Sequence, residues 1–275
     1  MNTILIHLHG INQQEIILEV SIHTIFASVL ERSANLDSLV GSIAEWIGRA
    51  IIEGRLRPGD DLNSVALSRQ FKTSRTPVRE ALMLLEKEGL VTIPPRRRPF
   101  VTRVSLREVR EIYQIRAHLY MLVADLIVAQ ASDTAIHSLW QYQTRLEEAV
   151  QADNRDAYFW SNLSFRATEA EICGNLHLQQ MLNSLGLRTL NLRHQTLGYP
   201  GRMERSLRDH ARLIQAYEER DSSLAQSLTR SLVFRGLASI EHSEWVTSSR
   251  EQDADMETEE SLLLNGYLAA ENEEF

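Results

Sequence analysis

The chain has one cysteine, Cys173. A lone thiol excludes an internal disulfide framework and a cysteine-rich zinc site, and it reads as a small buried residue of a protein in a reducing compartment. Long apolar runs are missing as well. None approaches the roughly 20 residues that span a bilayer, and the N-terminus lacks the basic region and apolar core of a secretory signal. The expectation is a cytoplasmic protein with no membrane partner. There is also no nucleophile paired with a base, no phosphate-binding glycine loop and no close pair of carboxylates with evident roles, so an enzyme is not expected. Strand-like alternation is nearly absent from the second half.

What is present suits about two domains: 275 residues of which 43% are hydrophobic, enough for real cores. Charge is distributed unevenly. Residues 38 to 110 carry 14 Arg or Lys against 8 Asp or Glu, a net of +6, whereas the whole chain is at −8 and the remainder therefore at −14. The basic segment is where a polyanion would sit. The acidic remainder argues against a chain that coats nucleic acid along its whole surface.

Within the basic segment the apolar residues follow a helical period. Asp37 is placed to cap a helix carrying Val40, Ile43, Ile47 and Ile51, and Gly54 to stop it. Arg57-Pro58-Gly59 reads as a turn. A short helix follows Asn63 or Ser64 and buries Val65, Leu67 and Phe71; Lys72-Thr73 leaves room only for a tight corner. The next helix has Ser74 as its expected cap and Pro77 in its first turn, where no intrahelical bond is lost. On it Val78, Leu82 and Leu85 form a buried stripe, and Arg75 and Arg79 share the opposite face. Arginines so placed suit the acceptors of guanine in a major groove, although a pair of arginines alone also fits a solvated helix face. Helix, short helix, corner, helix is the helix-turn-helix order. Beyond Gly89 the period changes: Leu90 to Ile93 and Phe100 to Val104 read as strands, joined by the basic turn Pro94-Pro95-Arg96-Arg97-Arg98-Pro99.

These residues resemble the winged helix-turn-helix of the GntR family of bacterial transcription regulators. The likeness runs without gaps from Ile51-Ile52-Glu53-Gly54-Arg55-Leu56-Arg57-Pro58-Gly59 through Ser74-Arg75-Thr76-Pro77-Val78-Arg79-Glu80-Ala81-Leu82 to Glu88-Gly89-Leu90-Val91. It implies that Arg75 and Arg79 read guanines of a short inverted repeat in double-stranded DNA, with Ser74 and Thr76 beside them and a wing carrying Arg96, Arg97 and Arg98 near the minor groove. Family wings usually carry a glycine where Arg98 stands; here an arginine side chain takes the place of a close backbone approach.

Helical periods fill the second half, over Leu106 to Ala131, Asp133 to Ala152, Asp156 to Ile172, Leu176 to Leu197, Arg202 to Arg220 and Ser222 to Trp245. Long helices with short joints make an all-α bundle. The first, apolar on nearly all sides from Leu119 onward, is either central or part of a dimer seam. The bundle resembles the FCD effector domain of the FadR-like branch of the GntR family, on Tyr113-Gln114-Ile115-Arg116 with Leu119, Phe165, Gly174-Asn175-Leu176, Asp209-His210 with Ile214, and Asp221 with Ala225.

Many domains of that branch hold a divalent metal through one aspartate and three histidines, and through it a small carboxylate effector. The corresponding positions here are Asn162, Arg166, His210 and Leu232, so only His210 is a metal donor of the expected kind. No metal cofactor is expected. An arginine entering an apolar helical cavity must find an anion or an acidic partner, because an unpaired buried charge is costly. One reading makes Arg166, with Asn162 and His210, the clamp on a small anionic metabolite, with Arg116 and Arg193 as further candidates. The other pairs Arg166 with Glu169 or turns it to solvent.

The expected fold is mostly α: a winged helix-turn-helix with a small β-hairpin wing over residues 38 to 104 and an all-α effector and dimerisation domain over residues 105 to 246. Residues 1 to 37 form an extension whose apolar stretch, Ile16 to Leu30, either packs as an amphipathic helix or reflects a coding start further in. Residues 247 to 275 form an acidic tail expected to be disordered. The expected function is a homodimeric repressor of metabolic genes whose operator affinity responds to an anionic metabolite. The alternative is a ligand-independent DNA-binding dimer whose helical half only dimerises.

Overall fold

The computed structural model describes residues 22–27, 38–185 and 187–242. The apolar stretch from Ile16 is thus described only over residues 22–27, helix α1, and the acidic tail lies outside the described residues. Helix α2 (Leu39–Ile52) is capped by the Ser38 side chain, which accepts from the Gly41 amide, rather than by Asp37. Gly54 ends it in the left-handed region. Helix α3 (Ser64–Gln70) is capped by Asn63, whose side chain accepts from the Val65 and Ala66 amides. After a corner through Lys72 at φ 50° comes α4 (Arg75–Lys87), with Val78, Leu82 and Leu85 buried. Ser74 occupies the cap position with extended backbone, but its side chain makes no capping bond.

The wing is shorter than the β-propensity suggested. Only Val91–Thr92 (β1) and Phe100–Val101 (β2) pair, antiparallel, with Val91 opposite Val101 and Thr92 opposite Phe100. Residues 59–62 run along the other edge of β2, through Gly59 N to Val101 O, Val101 N to Asp60 O and Leu62 N to Pro99 O. Between the strands the left-handed residue is Arg96, at φ 60°, not Arg98.

The second domain is α5 (Leu106–Gln130), α6 (Asp133–His137), α7 (Trp140–Gln151), α8 (Arg155–Ile172), α9 (Leu176–Ser184), a 3-10 turn at Leu187–Thr189, α10 (Leu190–Thr196), α11 (Arg202–Glu218) and α12 (Ser222–Glu241). Two expected helices are therefore split. Asp133 to Ala152 breaks at Ser138-Leu139, and Leu176 to Leu197 breaks before the 3-10 turn, so that α10 leaves the line of α9 and meets α2. Helix α5 packs along α12. It is long and apolar enough, by length and composition, to cross a membrane, although Arg116 and Asp125 interrupt its apolar residues. Its buried residues include Tyr113, Arg116 and Tyr120, which turn inward to the bundle, while Ile115 and Leu122 are 50% and 44% exposed.

One core joins the two halves. Ile22 and Phe26 of α1, Ile47 and Ile51 of α2, Leu85 of α4 and Tyr158, Phe159 and Trp160 of α8 belong to a single buried cluster. Burial of such side chains contributes about 1.5–3 kcal/mol each, so the winged helix-turn-helix and the bundle are stabilised together. Trp160 Nε1 also donates to Glu53 Oε1 at 3.1 Å, across the domain boundary.

Candidate functional site

Two places gather the predicted site residues. The first is the outer face of α4. Ser74, Arg75, Thr76 and Arg79 are all exposed, and among the described residues neither arginine has an acidic or hydrogen-bonding partner. The apolar stripe packs α4 onto α2 and so fixes the arginines outward. Arg96, Arg97 and Arg98 are exposed on the wing; Arg98 Nη1 lies 3.6 Å from Asp61 Oδ2, a weak surface pair that high salt would screen.

The second is a cavity of about 60 Å³ inside the bundle, and it brings Arg116, Asn162, Arg166, Arg193 and His210 together. Helical spacing places them there: Tyr113, Arg116 and Tyr120 share a face of α5, Asn162 and Arg166 a face of α8, and Arg202, Ser206 and His210 a face of α11. Tyr120 and Arg202 were not singled out from the sequence, and Tyr113 only as a motif residue with no role in the site. Arg202 stands four and eight residues before Ser206 and His210, a spacing that could have flagged it.

Arg166 does not stand free. Its Nη1 donates to Glu169 Oε2 at 2.7 Å, and Tyr217 Oη donates to Glu169 Oε1, also at 2.7 Å, so both carboxylate oxygens are used in a buried triad. Of the two readings of Arg166, the pairing with Glu169 is the one observed, and the anion-clamp reading of this residue is set aside: a buried guanidinium beside a buried carboxylate pairs with it, because leaving either alone costs more. Tyr120 lies between two guanidiniums, with Arg166 and Arg116 at 5.1 and 5.7 Å from its ring centre. Arg116 also sits 5.5 Å from the Tyr113 ring and donates to Thr189 Oγ1 at 3.4 Å.

Arg193 is held differently. Its Nη2 donates to Asn162 Oδ1 at 3.2 Å, the Asn162 amide donates to His210 Nε2 at 3.1 Å, and His210 Nδ1 donates to the Ser206 carbonyl at 2.6 Å. Burial, reinforced by Arg166, pushes the His210 pKa down to about 3, so the ring is neutral. Burial, reinforced by Arg116, also pushes Arg193 down to about 10. Arg193 Nη1, Arg202 Nε and Tyr113 Oη are buried without a hydrogen-bond partner among the described residues. None of the residues lining the cavity is an acid.

The donor set does not fit a divalent metal. His210 Nε2 is committed to the Asn162 amide, Arg166 and Leu232 offer no lone pair, and the surrounding charge is positive. Among the described residues no three His, Cys, Asp or Glu side chains cluster as a metal site would require.

Comparison with known proteins matches two family models to the chain: bacterial regulatory proteins, gntR family, over residues 39–101, and the FCD domain over residues 111–234. The chain is 29% identical over 183 residues to the HTH-type transcriptional regulator YdhC of Bacillus subtilis (strain 168), covering 65% of this chain and 80% of that one. To the HTH-type transcriptional repressor RspR of Escherichia coli (strain K12) it is 25% identical over 213 residues, covering 77% of this chain and 90% of that one. Its structure is similar to that of E. coli McbR/YncC, with a TM-score of 0.65 at 22% identity, covering 74% of this chain and 97% of the other; at that identity the likeness is one of fold.

Proposed function

The chain belongs to the GntR family of bacterial regulatory proteins, with an FCD domain as its second half, and from that premise we propose that it is a homodimeric repressor whose grip on its operator is set by a small anionic metabolite in the bundle cavity. That it is a DNA-binding transcriptional regulator and not an enzyme follows from the family itself. The finer reading is supported above all by unsatisfied positive charge at both sites: Arg75 and Arg79 outside on α4, and Arg193 and Arg202 inside the bundle.

In this reading Arg75 and Arg79 each present a planar fork to a guanine, while Ser74 and Thr76 hydroxyls and Arg96, Arg97 and Arg98 hold phosphates and the minor groove. Two copies of α4 in successive major grooves require two-fold symmetry, and the exposed Ile115 and Leu122 of α5 offer an apolar strip for the partner. No metal takes part. The metabolite acts by binding the operator-competent and operator-incompetent arrangements unequally. The name of the relative RspR makes repression the favoured sign. A function in the reducing cytoplasm agrees with the single cysteine.

The test is selection of bound sequences from random duplex DNA, followed by titration of the selected site with carboxylic and phosphorylated metabolites. An inverted repeat whose affinity one of these acids changes supports the reading. An unchanged affinity with every acid favours the ligand-independent dimer.

A further inference from the structure

Four guanidiniums line the bundle cavity, from Arg116, Arg166, Arg193 and Arg202, and two are already compensated. Arg166 is neutralised by Glu169. Arg116 lies against the faces of Tyr113 and Tyr120, whose ring quadrupoles offset part of its charge. Arg193 and Arg202 remain, each with a buried nitrogen that no acceptor among the described residues reaches, and Tyr113 adds a third unpartnered donor.

We propose that this cavity binds a compact dianion without metal, and that Arg193, Arg202 and Tyr113 are its anchors while Arg166 serves only to hold Glu169. The inference rests on the effector reading above and specifies the ligand's charge, size and anchors. Arg193 and the partly exposed Arg202 face a cavity whose lining holds no acid, so a group with two negative charges matches them better than a monoanion does. Size restricts the ligand further. The cavity is small, at about 60 Å³, which favours a compact ligand. Inorganic phosphate, a phosphoryl head group or the shortest dicarboxylates meet both limits. The shared chemistry is two charges on a group of that size, carried on oxygens that accept from forked N–H donors. The relay from Arg193 through Asn162 and His210 to the Ser206 carbonyl fixes the guanidinium plane, so that Nη2 is spent and Nη1 is presented.

The deciding experiment is calorimetric titration of the full chain, dialysed against a chelator, with inorganic phosphate, oxalate and acetate. Saturable binding of phosphate or oxalate, at least about tenfold tighter than acetate, supports the proposal; tighter phosphate assigns a phosphoryl ligand and tighter oxalate a dicarboxylate. Arg193→Gln and Arg202→Gln should each weaken that binding by about 10–100-fold, the loss expected for one charged hydrogen-bonding group. If Arg193→Gln fails to fold by circular dichroism, Arg202→Gln decides. The proposal is overturned by acetate binding as well as the dianions, by binding that needs added divalent metal, by no binding of either dianion, or by wild-type affinity in the folded variants. Operator binding by the ligand-free protein is measured on the same samples by fluorescence anisotropy. Its loss would sink the regulator reading, whereas intact operator binding without dianion binding would sink only the inference.

Discussion

Asn191, on α10, donates its side-chain amide to the Ile51 carbonyl at 2.5 Å and the Ile52 carbonyl at 3.3 Å, at the end of the first helix of the DNA-binding domain. Two residues on, Arg193 reaches the cavity. A single two-turn helix thus touches the bundle cavity with one side chain and the base of the helix-turn-helix with another. At the same boundary Gly89 stands at φ 72°, where a Cβ would fall 2.0 Å from Arg188 Nε, and Arg188 Nη1 donates to Glu108 Oε1 at 2.9 Å. A shift of α10 on ligand binding would therefore be felt at both ends of the DNA-binding core.

The first prediction concerns that link. Asn191→Ala removes the only side-chain donor to these carbonyls recorded among the described residues while leaving the cavity donors in place. The variant should bind the dianion within about threefold of wild type yet lose most of the ligand's effect on operator affinity, a coupling of about 1–3 kcal/mol in proteins of this kind. Anisotropy titrations with and without ligand read it directly. An undiminished ligand effect would mean that the coupling runs elsewhere, through Trp160 and Glu53 or across the dimer.

The arginines of α4 and of the wing should separate in their effects. Arg79→Ala or Arg75→Ala should cost about 1–3 kcal/mol of discrimination at one base pair of each half-site. Replacing Arg96, Arg97 and Arg98 together with alanine should instead weaken binding to all sequences and flatten its salt dependence. Competition against single-base operator variants at two salt concentrations distinguishes them. Unchanged base preference in both α4 variants would remove these arginines from the reading set.

Much of this was legible because each helix carries its signal locally. The stripe of Val78, Leu82 and Leu85 and the punctuation at Gly54, Gly59 and Gly89 place the helix-turn-helix by period and turn chemistry alone. Asn162, Arg166, His210, Arg116 and Arg193 do meet in one cavity. What the sequence concealed depended on contacts between distant segments. Pairing with Glu169, three residues away, was one of the two readings of Arg166, and the choice between them was hidden because only packing on Tyr217 makes Glu169 buried and committed. Arg202 was passed over because it opens a helix after a Gly-Tyr-Pro-Gly turn and looks like a solvated end. The break before α10 carries Gly186, a stop signal that the helical period passed over, and beyond it Leu190 and Asn191 meet the core shared with α2.

The N-terminal segment offers a stability test. Phe26 is fully buried, its ring 6.1 Å from that of Trp160 and close against Gly48, where a Cβ would lie 2.6 Å from Phe26 Cε1. Phe26→Ala should lower the unfolding free energy by about 3–5 kcal/mol, the usual cost of deleting a buried phenyl ring. Urea denaturation followed by tryptophan fluorescence checks it. A loss below about 1 kcal/mol would show that residues 22–27 do not close the core in solution.

His210 should make the bundle sensitive to acid. Its ordinary pKa is 6.5 and in the fold it is pushed down to about 3, chiefly by burial. Between those values the unfolded chain takes up a proton that the folded chain refuses, so the unfolded state is favoured as the pH falls. The stabilisation from keeping the ring neutral is fully present above the ordinary value and is lost as the pH drops toward the folded one. Glutamine cannot titrate but can still donate toward the Ser206 carbonyl. His210→Gln should accordingly be somewhat less stable than wild type near neutrality, and the difference should swing in its favour by about 2–3 kcal/mol on acidification to about pH 4.5. Denaturant titrations of both proteins across that range measure the swing. Parallel pH profiles would mean that the histidine titrates alike in the folded and unfolded chain, taking a proton on Nε2 as the pH falls and giving up the bond from Asn162.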